Sequence, residues 1–196
     1  MKNISDLELR IVESSDAKQS LLKEDKKIKK AVDIIYKSLK KGGKILLCGN
    51  GGSAADAQHL AAEFLVRLRP KVNRSPIPAI SLVMDTSTLT AMCNDISFDE
   101  IFSRNLEAIG NRNDILIAIS TSGQSKNIIK VLQKSKKKKI FSIGFLGYSG
   151  GKAKKWCNLP IVVDSKTTAR IQEAHIFLGH YIFEKVEDLI LKNYKK

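Results

Sequence analysis

Residues 44–53 read KILLCGNGGS, in which four apolar residues run into a glycine-rich turn. An apolar run without a polar face predicts a strand that is covered on both sides of its sheet. Residues 114–125, DILIAISTSGQS, repeat this design with a hydroxyl-rich turn in place of the glycine-rich one. The predicted strands are 44–48 and 114–119, with further ones at 80–83, 140–145 and 159–163.

Helical patterns fill the segments between these strands. Residues 4–40 carry apolar side chains at helical spacing and predict two helices that end at Gly42-Gly43. Further helices are predicted at 53–68, 86–93, 98–109, 125–134 and 168–191. Because strands and helices alternate, we expect an α/β fold: a doubly wound three-layer sandwich of flavodoxin-like type, with a mainly parallel five-stranded sheet and extra N-terminal helices.

The length of the chain suits one domain. We expect residues 1–196 to form it, with 1–41 as N-terminal helices that make oligomer contacts and 42–196 as the sandwich. No apolar run is long enough to cross a bilayer and no signal peptide is visible, so no membrane partner is expected. Three widely spaced cysteines form neither a disulfide framework nor a CxxC metal site. These features predict a cytoplasmic protein.

The formal net charge of +14 raises the question of a nucleic-acid partner. Most of the basic residues are lysines, which crowd into residues 26–41 and 136–139 on predicted helix surfaces. No zinc-finger, RRM or KH pattern accompanies them, and the chain has little aromatic surface for base stacking. We therefore expect no nucleic-acid partner, whereas an anionic small substrate agrees with the charge.

Two predicted loops carry the chemistry, Gly49–Asp56 and Ser120–Ser125. Each loop connects the end of a predicted strand to the start of a predicted helix. The unpaired N–H groups of a helix N-terminus favour an anion there. The alternative is that the glycines only form turns and Ser125 only caps a helix. Four hydroxyls within six residues exceed what a cap needs, and neither a Walker loop nor a dinucleotide fingerprint is present. The loops predict a site for a phosphorylated metabolite.

Candidate acid–base groups flank these loops. His59 and Glu63 are four residues apart, so a helix places them on one face just beyond the first loop. The final predicted helix carries Gln172, Glu173, His175 and His180. Two ordinary explanations stay open: the His–Glu pair can simply stabilise its helix, and a histidine on a helix is usually a surface residue or a core residue with its hydrogen bonds satisfied.

Longer stretches of the chain carry a family resemblance. These are GNGGSAADAQHLAAE (49–63), TAMCNDISFDEIFSRNLEA (90–108), ISTSGQSKN (119–127) and ARIQEAHIFLGH (169–180). They resemble the sugar isomerase (SIS) domain family and, within it, the phosphoheptose isomerases, over residues 30–190. The implied activity is the conversion of D-sedoheptulose 7-phosphate to D-glycero-D-manno-heptose 7-phosphate through an enediol, which supplies heptose precursors for lipopolysaccharide or capsule.

The resemblance also implies site residues. Glu63 and His180 correspond to the catalytic base and acid. One zinc ion per subunit is implied, bound by His59, Glu63, Gln172 and His180. The implied substrate contacts are Asn50, Gly51, Gly52, Ser53, Glu63, Asn94, Asp95, Ser120, Thr121, Ser122, Ser125 and Gln172. From the residues alone, Asn94-Asp95 would be only a turn and helix-cap signal.

The quaternary structure that the family resemblance implies affects which subunit supplies each zinc ligand. Gln172 and His180 lie eight residues apart, which is about 12 Å along an ideal helix and roughly 80° around it. Their side chains can bind one ion only if they lean toward each other or come from different subunits. By spacing alone, Glu173 lies closer than Gln172 to the helix face that carries His180. The family is described as a homotetramer with sites at subunit contacts, so we expect different subunits. The alternative function is a non-catalytic SIS protein, either a scaffold that binds the bacterial replication initiator or a sugar-phosphate sensor.

Overall fold

A five-stranded parallel sheet forms the centre of the protein. The structure is a computed structural model that describes residues 5–83 and 85–194. The strands are β1 (Ile45–Cys48), β2 (Ala79–Ser81), β3 (Ile115–Ser120), β4 (Phe141–Gly147) and β5 (Leu159–Val163). Their order is β2-β1-β3-β4-β5, and every described pair is parallel. The predicted flavodoxin-like sheet is confirmed, and its order reverses direction between β1 and β3.

Helices cover both faces of this sheet. They are α1 (Asp6–Gln19), α2 (Asp25–Lys40), α3 (Gly52–Leu65), α4 (Thr86–Asp95), α5 (Ile101–Ile109), α6 (Lys126–Lys137) and α7 (Thr168–Tyr194). Side chains alternate along each strand, so Ile45 and Leu47 pack with α2, α3 and α7. Leu46 and Cys48 pack with α4, α5 and α6 on the opposite face. The result is the expected three-layer sandwich.

The N-terminal helices join the core only in part. Ala17 and Leu21 are buried with the α7 side of the sheet. In contrast, α1 presents Leu7 and Ile11 to solvent, and Leu22 before α2 and Phe177 on α7 are also exposed. A short 3-10 helix, Ser20–Glu24, separates α1 from α2.

Several predicted helix ends differ from the structure by two or three residues, and the end of α3 has a clear physical reason. The sequence predicts a helix to residue 68, whereas α3 ends at Leu65. The carbonyl of Phe64 accepts from the main-chain N–H of Ile77 and from the guanidinium of Arg74, and that of Glu63 also accepts from Arg74. These partners come from the next segment of the chain, so local periodicity does not indicate the end.

The lysine excess has a local role at one helix end. Lys134, Lys136 and Lys137 lie in the last turn of α6, where positive charge stabilises the negative end of the helix dipole.

Among the described helices, none is both long and apolar enough to cross a lipid bilayer.

Candidate active site

The loops after β1 and β3 meet at the carboxyl edge of the sheet. Asn50, in the first loop, and Asn127, in the first turn of α6, form two reciprocal side-chain hydrogen bonds of 2.9 and 2.8 Å. Asn127 is buried, and its Oδ1 also accepts from the main-chain N–H of Ile128. This amide pair ties the glycine-rich loop to the hydroxyl-rich loop at the point where a parallel sheet reverses its strand order.

Glycines shape the first loop in two ways. Gly51 has a φ of 54°, in the left-handed region that glycine adopts without strain. At Gly52, a Cβ atom would lie 2.5 Å from Nε2 of Gln172, so a larger residue there would displace the Gln172 amide from its position against the loop. Ser53 is buried in the first turn of α3.

Hydroxyl groups organise the second loop. Ser120 Oγ accepts from the N–H of Gly123 at 3.1 Å, and Ser122 Oγ accepts from the N–H of Gln124 at 3.2 Å. Ser125 occupies the N-cap position of α6, yet its side chain makes no capping hydrogen bond. The capping interpretation of Ser125 is therefore wrong in this structure, and its hydroxyl is available to a ligand. Thr121 is half-buried between these serines.

Beyond the first loop, one carboxylate and two imidazoles converge. The Nε2 atom of His59 lies 3.2 Å from Oε1 of Glu63 and 2.9 Å from Nε2 of His180. One ligand atom from each of the three side chains lies within 4.8 Å of the others. The His59 side chain is 49% exposed and that of Glu63 is 18% exposed, so the cluster is open on one side.

Close packing of α3 against α7 brings these side chains together. A Cβ atom at Gly179 would lie 2.5 Å from Cδ1 of Leu60, so α7 approaches α3 more closely than any other residue type would allow. Four residues along each helix, the rings of Phe64 and Phe183 stack with centroids 3.7 Å apart. His180 is next to Gly179, and His59 is next to Leu60. The short helix separation therefore places the two imidazoles in contact.

The electrostatics of the cluster suit a metal ion. Burial lowers the pKa of His180 below its usual value, and the neighbouring His59 ring lowers it further, although Glu63 acts in the opposite direction. A neutral imidazole can ligate a metal. Glu63 Oε2 is buried and has no hydrogen-bond partner among the described residues. The ligand atoms of a tetrahedral zinc site lie roughly 3.3 Å apart, and the observed separations of 2.9 and 3.2 Å are close to this.

The other three candidate residues of α7, Gln172, Glu173 and His175, lie in different environments. Gln172 lies beside Gly52 at the first loop, in the same chain as His180. Glu173 instead forms an ion pair with Arg170 at 2.5 Å, so the alignment favoured by spacing does not place it in the cluster. His175 is fully buried beside Phe145, with ring centroids 6.2 Å apart. His175 is therefore a core histidine, as one of the ordinary explanations predicts, but its two ring nitrogens have no hydrogen-bond partner among the described residues, so it is not a satisfied one.

Asn94 and Asp95 occupy the end of α4. Both are exposed, and the Asn94 amide donates to Oδ1 of Asp95 at 2.7 Å. Among the described residues, neither side chain hydrogen-bonds to the two loops or to the His–Glu–His cluster. This pair therefore remains separate from the other candidate residues within one chain.

Sequence reasoning missed Asn127 as a functional residue. The only available signal was its place in the segment ISTSGQSKN, two residues beyond the last candidate serine. Its partner is distant in sequence, and hydrogen bonds between distant side chains leave no periodic pattern.

Comparison with known proteins agrees with this geometry. The sequence profile of the SIS domain matches residues 13–147. The chain is 47% identical over 190 residues to the phosphoheptose isomerase of Clostridium acetobutylicum, covering 95% of each chain. It is 48% identical over 161 residues to that of Campylobacter jejuni, covering 82% of this chain and 86% of the relative.

Two solved structures are similar in fold and sequence. Phosphoheptose isomerase GmhA from Neisseria gonorrhoeae has a TM-score of 0.86 and 37% identity, covering 93% of this chain and 97% of that one. A phosphoheptose isomerase from Francisella tularensis has a TM-score of 0.89 and 32% identity, covering 96% and 100%.

Proposed function

The chain belongs to the SIS-domain family and, within it, to the phosphoheptose isomerases, and from this premise we propose that it converts D-sedoheptulose 7-phosphate to D-glycero-D-manno-heptose 7-phosphate. The product would enter heptose precursor synthesis for lipopolysaccharide or capsule in the cytoplasm. The observation that carries the proposal is the convergence of Glu63, His59 and His180 in a chain that also has two loops suited to a phosphate.

The phosphate of the substrate would occupy the two tied loops. The Ser125 hydroxyl makes no capping bond, and the Ser120 and Ser122 oxygens act as acceptors within the loop. Each of these hydroxyls therefore keeps its O–H as a donor for a phosphate oxygen. The main-chain N–H groups at the start of α3 and α6 add positive potential, since anions bind favourably at helix N-termini. Asn50, Gly51, Gly52, Ser53 and Thr121 would line the same site, and Asn94 and Asp95 would contact the sugar.

Isomerisation needs two kinds of proton transfer. A base removes a proton from C1 while the O2 carbonyl oxygen gains one, which gives an enediol. The O1 proton then leaves, and C2 receives a proton, so the ketose becomes an aldose. In our proposal Glu63 carries the carbon-bound proton from C1 to C2, and His180 moves the proton between the two oxygens.

We assign a zinc site to His59, Glu63 and His180, with the Gln172 amide as a fourth ligand or substrate contact. A bound divalent cation would polarise the substrate carbonyl and stabilise negative charge on the enediolate oxygen. Because a carboxylate held tightly by a cation is a weaker base, Glu63 must loosen from that position to take the C1 proton.

The proposed assembly is a homotetramer with sites at subunit contacts. The exposed apolar surface of Leu7, Ile11, Leu22 and Phe177 supports an interface on the N-terminal helices. The half-exposed His59 and the exposed Asn94-Asp95 pair are residues that a neighbouring subunit would cover or complete. A partner is not needed to bring His180 to His59 and Glu63, since one chain already does so.

The alternative, a non-catalytic scaffold or sugar-phosphate sensor, is not favoured. The curated relatives at 47% and 48% identity are phosphoheptose isomerases. A scaffold also has no need for a carboxylate and two imidazoles in contact.

The test is turnover in deuterated water. Purified protein with zinc and sedoheptulose 7-phosphate should produce an aldose phosphate by NMR, with deuterium from solvent at C1 or C2. Glu63→Gln should abolish both signals while the circular dichroism spectrum stays that of the wild type. Glu173→Gln on α7 is the matched control, because its carboxylate is paired with Arg170, and it should retain turnover. Unimpaired turnover in Glu63→Gln would remove the base assignment, and an inactive wild type that captures a replication or regulatory partner would favour the scaffold.

A further inference from the structure

A buried arginine lies behind the candidate base. The Arg74 side chain is 2% exposed, and its guanidinium donates to main-chain oxygens at the end of α3. Nη2 donates to the carbonyl of Glu63 at 2.8 Å, and Nη1 donates to the carbonyl of Phe64 at 2.9 Å. Arg74 therefore holds the main chain of Glu63 itself, although it does not contact the carboxylate.

The position of Glu63 in α3 makes this contact important. The last four carbonyls of a helix have no partner within the helix, and Glu63 lies in the last turn of α3, which ends at Leu65. A helix whose terminal carbonyls lack partners frays at that end. Because Glu63 belongs to the cluster with His59 and His180, fraying would displace the carboxylate from the two imidazoles. The Arg74 guanidinium supplies the missing donors and also a favourable positive charge at this helix end.

Arg74 is in turn held by the helix that carries His180. Its Nε donates to Oε1 of Glu187 at 2.5 Å, and the Glu187 side chain is fully buried. Glu187 lies seven residues after His180, so both side chains project from one face of α7. The helices α3 and α7 are thus joined twice, once through the cluster and once through Arg74, with the Phe64–Phe183 stack between.

A neighbouring arginine provides an internal comparison. Arg69 donates to the other oxygen of Glu187 at 2.5 Å and to Asp188 at 2.7 Å. Its side chain is 33% exposed, and it makes no hydrogen bond to a carbonyl of α3 among the described residues. The two arginines therefore share one buried carboxylate, but only Arg74 reaches the main chain of Glu63.

We propose that Arg74 is a positioning residue for the active site: its guanidinium links the main chain of Glu63 to Glu187 of α7 and so fixes the Glu63 carboxylate relative to His59 and His180. This inference rests on the proposed isomerase function for its kinetic part. The link sets geometry and not substrate affinity. Its loss therefore impairs the chemical step and the binding of a cation, and it leaves recognition of the phosphate intact.

The experiment compares the same substitution at the two arginines. Arg74→Ala would leave Glu187 buried without this partner, so the informative variant is Arg74→Lys, which keeps the positive charge beside Glu187. The guanidinium bonds these three oxygens through three separate nitrogens, and the single nitrogen of a lysine does not reproduce that geometry. Arg69→Lys is the matched control. The readouts are kcat and KM for sedoheptulose 7-phosphate, and affinity for Zn²⁺ alone by competition with a chelating dye.

We expect Arg74→Lys to lower kcat and Zn²⁺ affinity by about 10- to 100-fold, as supporting residues of metal sites typically do, with KM near the wild-type value. Arg69→Lys should stay near the wild type in all three. The proposal is overturned if Arg74→Lys keeps wild-type kcat and Zn²⁺ affinity, if Arg69→Lys shows the same losses, or if kcat falls only in proportion to the folded fraction. If the wild type does not isomerise the sugar, the proposed function fails, and the Zn²⁺ measurement still tests Arg74.

Discussion

The Nε2 atoms of His59 and His180 lie 2.9 Å apart, although 121 residues separate the two histidines in the chain. Their rings meet edge to face, with an interplanar angle of 73°. Two protonated imidazoles at this distance would repel each other, so at least one ring is neutral when the contact forms. The two histidines and Glu63 therefore offer three ligand atoms to a cation.

Gly179 keeps the two helices close enough for this contact. In Gly179→Ala, the added Cβ would lie 2.5 Å from Cδ1 of the fully buried Leu60. We expect a loss of about 1–3 kcal/mol in the free energy of unfolding, typical of an overpacked core, measured by urea denaturation. Zn²⁺ affinity should fall as well, because α7 and His180 move away from His59.

A second variant separates crowding from other effects of alanine at this site. Leu60→Ala removes the side chain that the new Cβ would meet, so Gly179→Ala combined with Leu60→Ala should bind Zn²⁺ better than Gly179→Ala alone. Equal Zn²⁺ affinities in the single and double variants would show that helix separation does not control the cluster.

Asn127 should act through Asn50. Asn127→Asp replaces an amide donor with a carboxylate oxygen that faces Oδ1 of Asn50. Because a buried acceptor without its donor costs about 1–3 kcal/mol, the loop should shift and KM for the sugar phosphate should rise about tenfold or more. A double-mutant cycle with Asn50→Ala and Asn127→Ala should give a coupling energy of about 0.5–3 kcal/mol, and additive effects would contradict the link.

Ser125 tests whether the second loop serves a ligand or only a helix. A serine that caps a helix costs about 1 kcal/mol when replaced by alanine. Since Ser125 makes no capping bond, Ser125→Ala should change the free energy of unfolding by less than about 0.5 kcal/mol, while KM rises. Ser5→Ala is the control, because the Ser5 hydroxyl accepts from the N–H of Glu8 in the capping box of α1. A destabilised Ser125→Ala with unchanged KM would restore the capping interpretation.

His175 should make the protein sensitive to acid. Burial lowers the pKa of His175 from 6.5 to about 4. The unfolded chain therefore takes up a proton at higher pH than the folded protein does, and the free energy of unfolding falls as pH drops from about 6.5 toward 4. The full effect is on the order of 3 kcal/mol. Urea denaturation across this range should show a shallower pH slope in His175→Leu, and an identical slope would exclude His175 as the cause.

The local sequence was sufficient for the elements and their order. The apolar runs that become β1 and β3 have no polar face, and only a sheet covered on both sides buries such runs. Glycine and hydroxyl residues directly after those strands predicted an anion site, because parallel strands end at one edge of the sheet. The four proposed ligands and the proposed catalytic pair came from the family resemblance, and spacing alone favoured Glu173 over Gln172.

Relationships between distant residues were decided only by the tertiary structure. The end of α3 at Leu65, the Asn50–Asn127 pair and the Arg74 link all depend on partners from other segments of the chain. The meeting of His59 with His180 depends on how closely α7 packs against α3, which the missing side chain of Gly179 permits. Periodicity reports which face of an element is buried, because burial repeats along the chain. It carries no information on which side chains of two packed elements touch, because that depends on their separation and register in space.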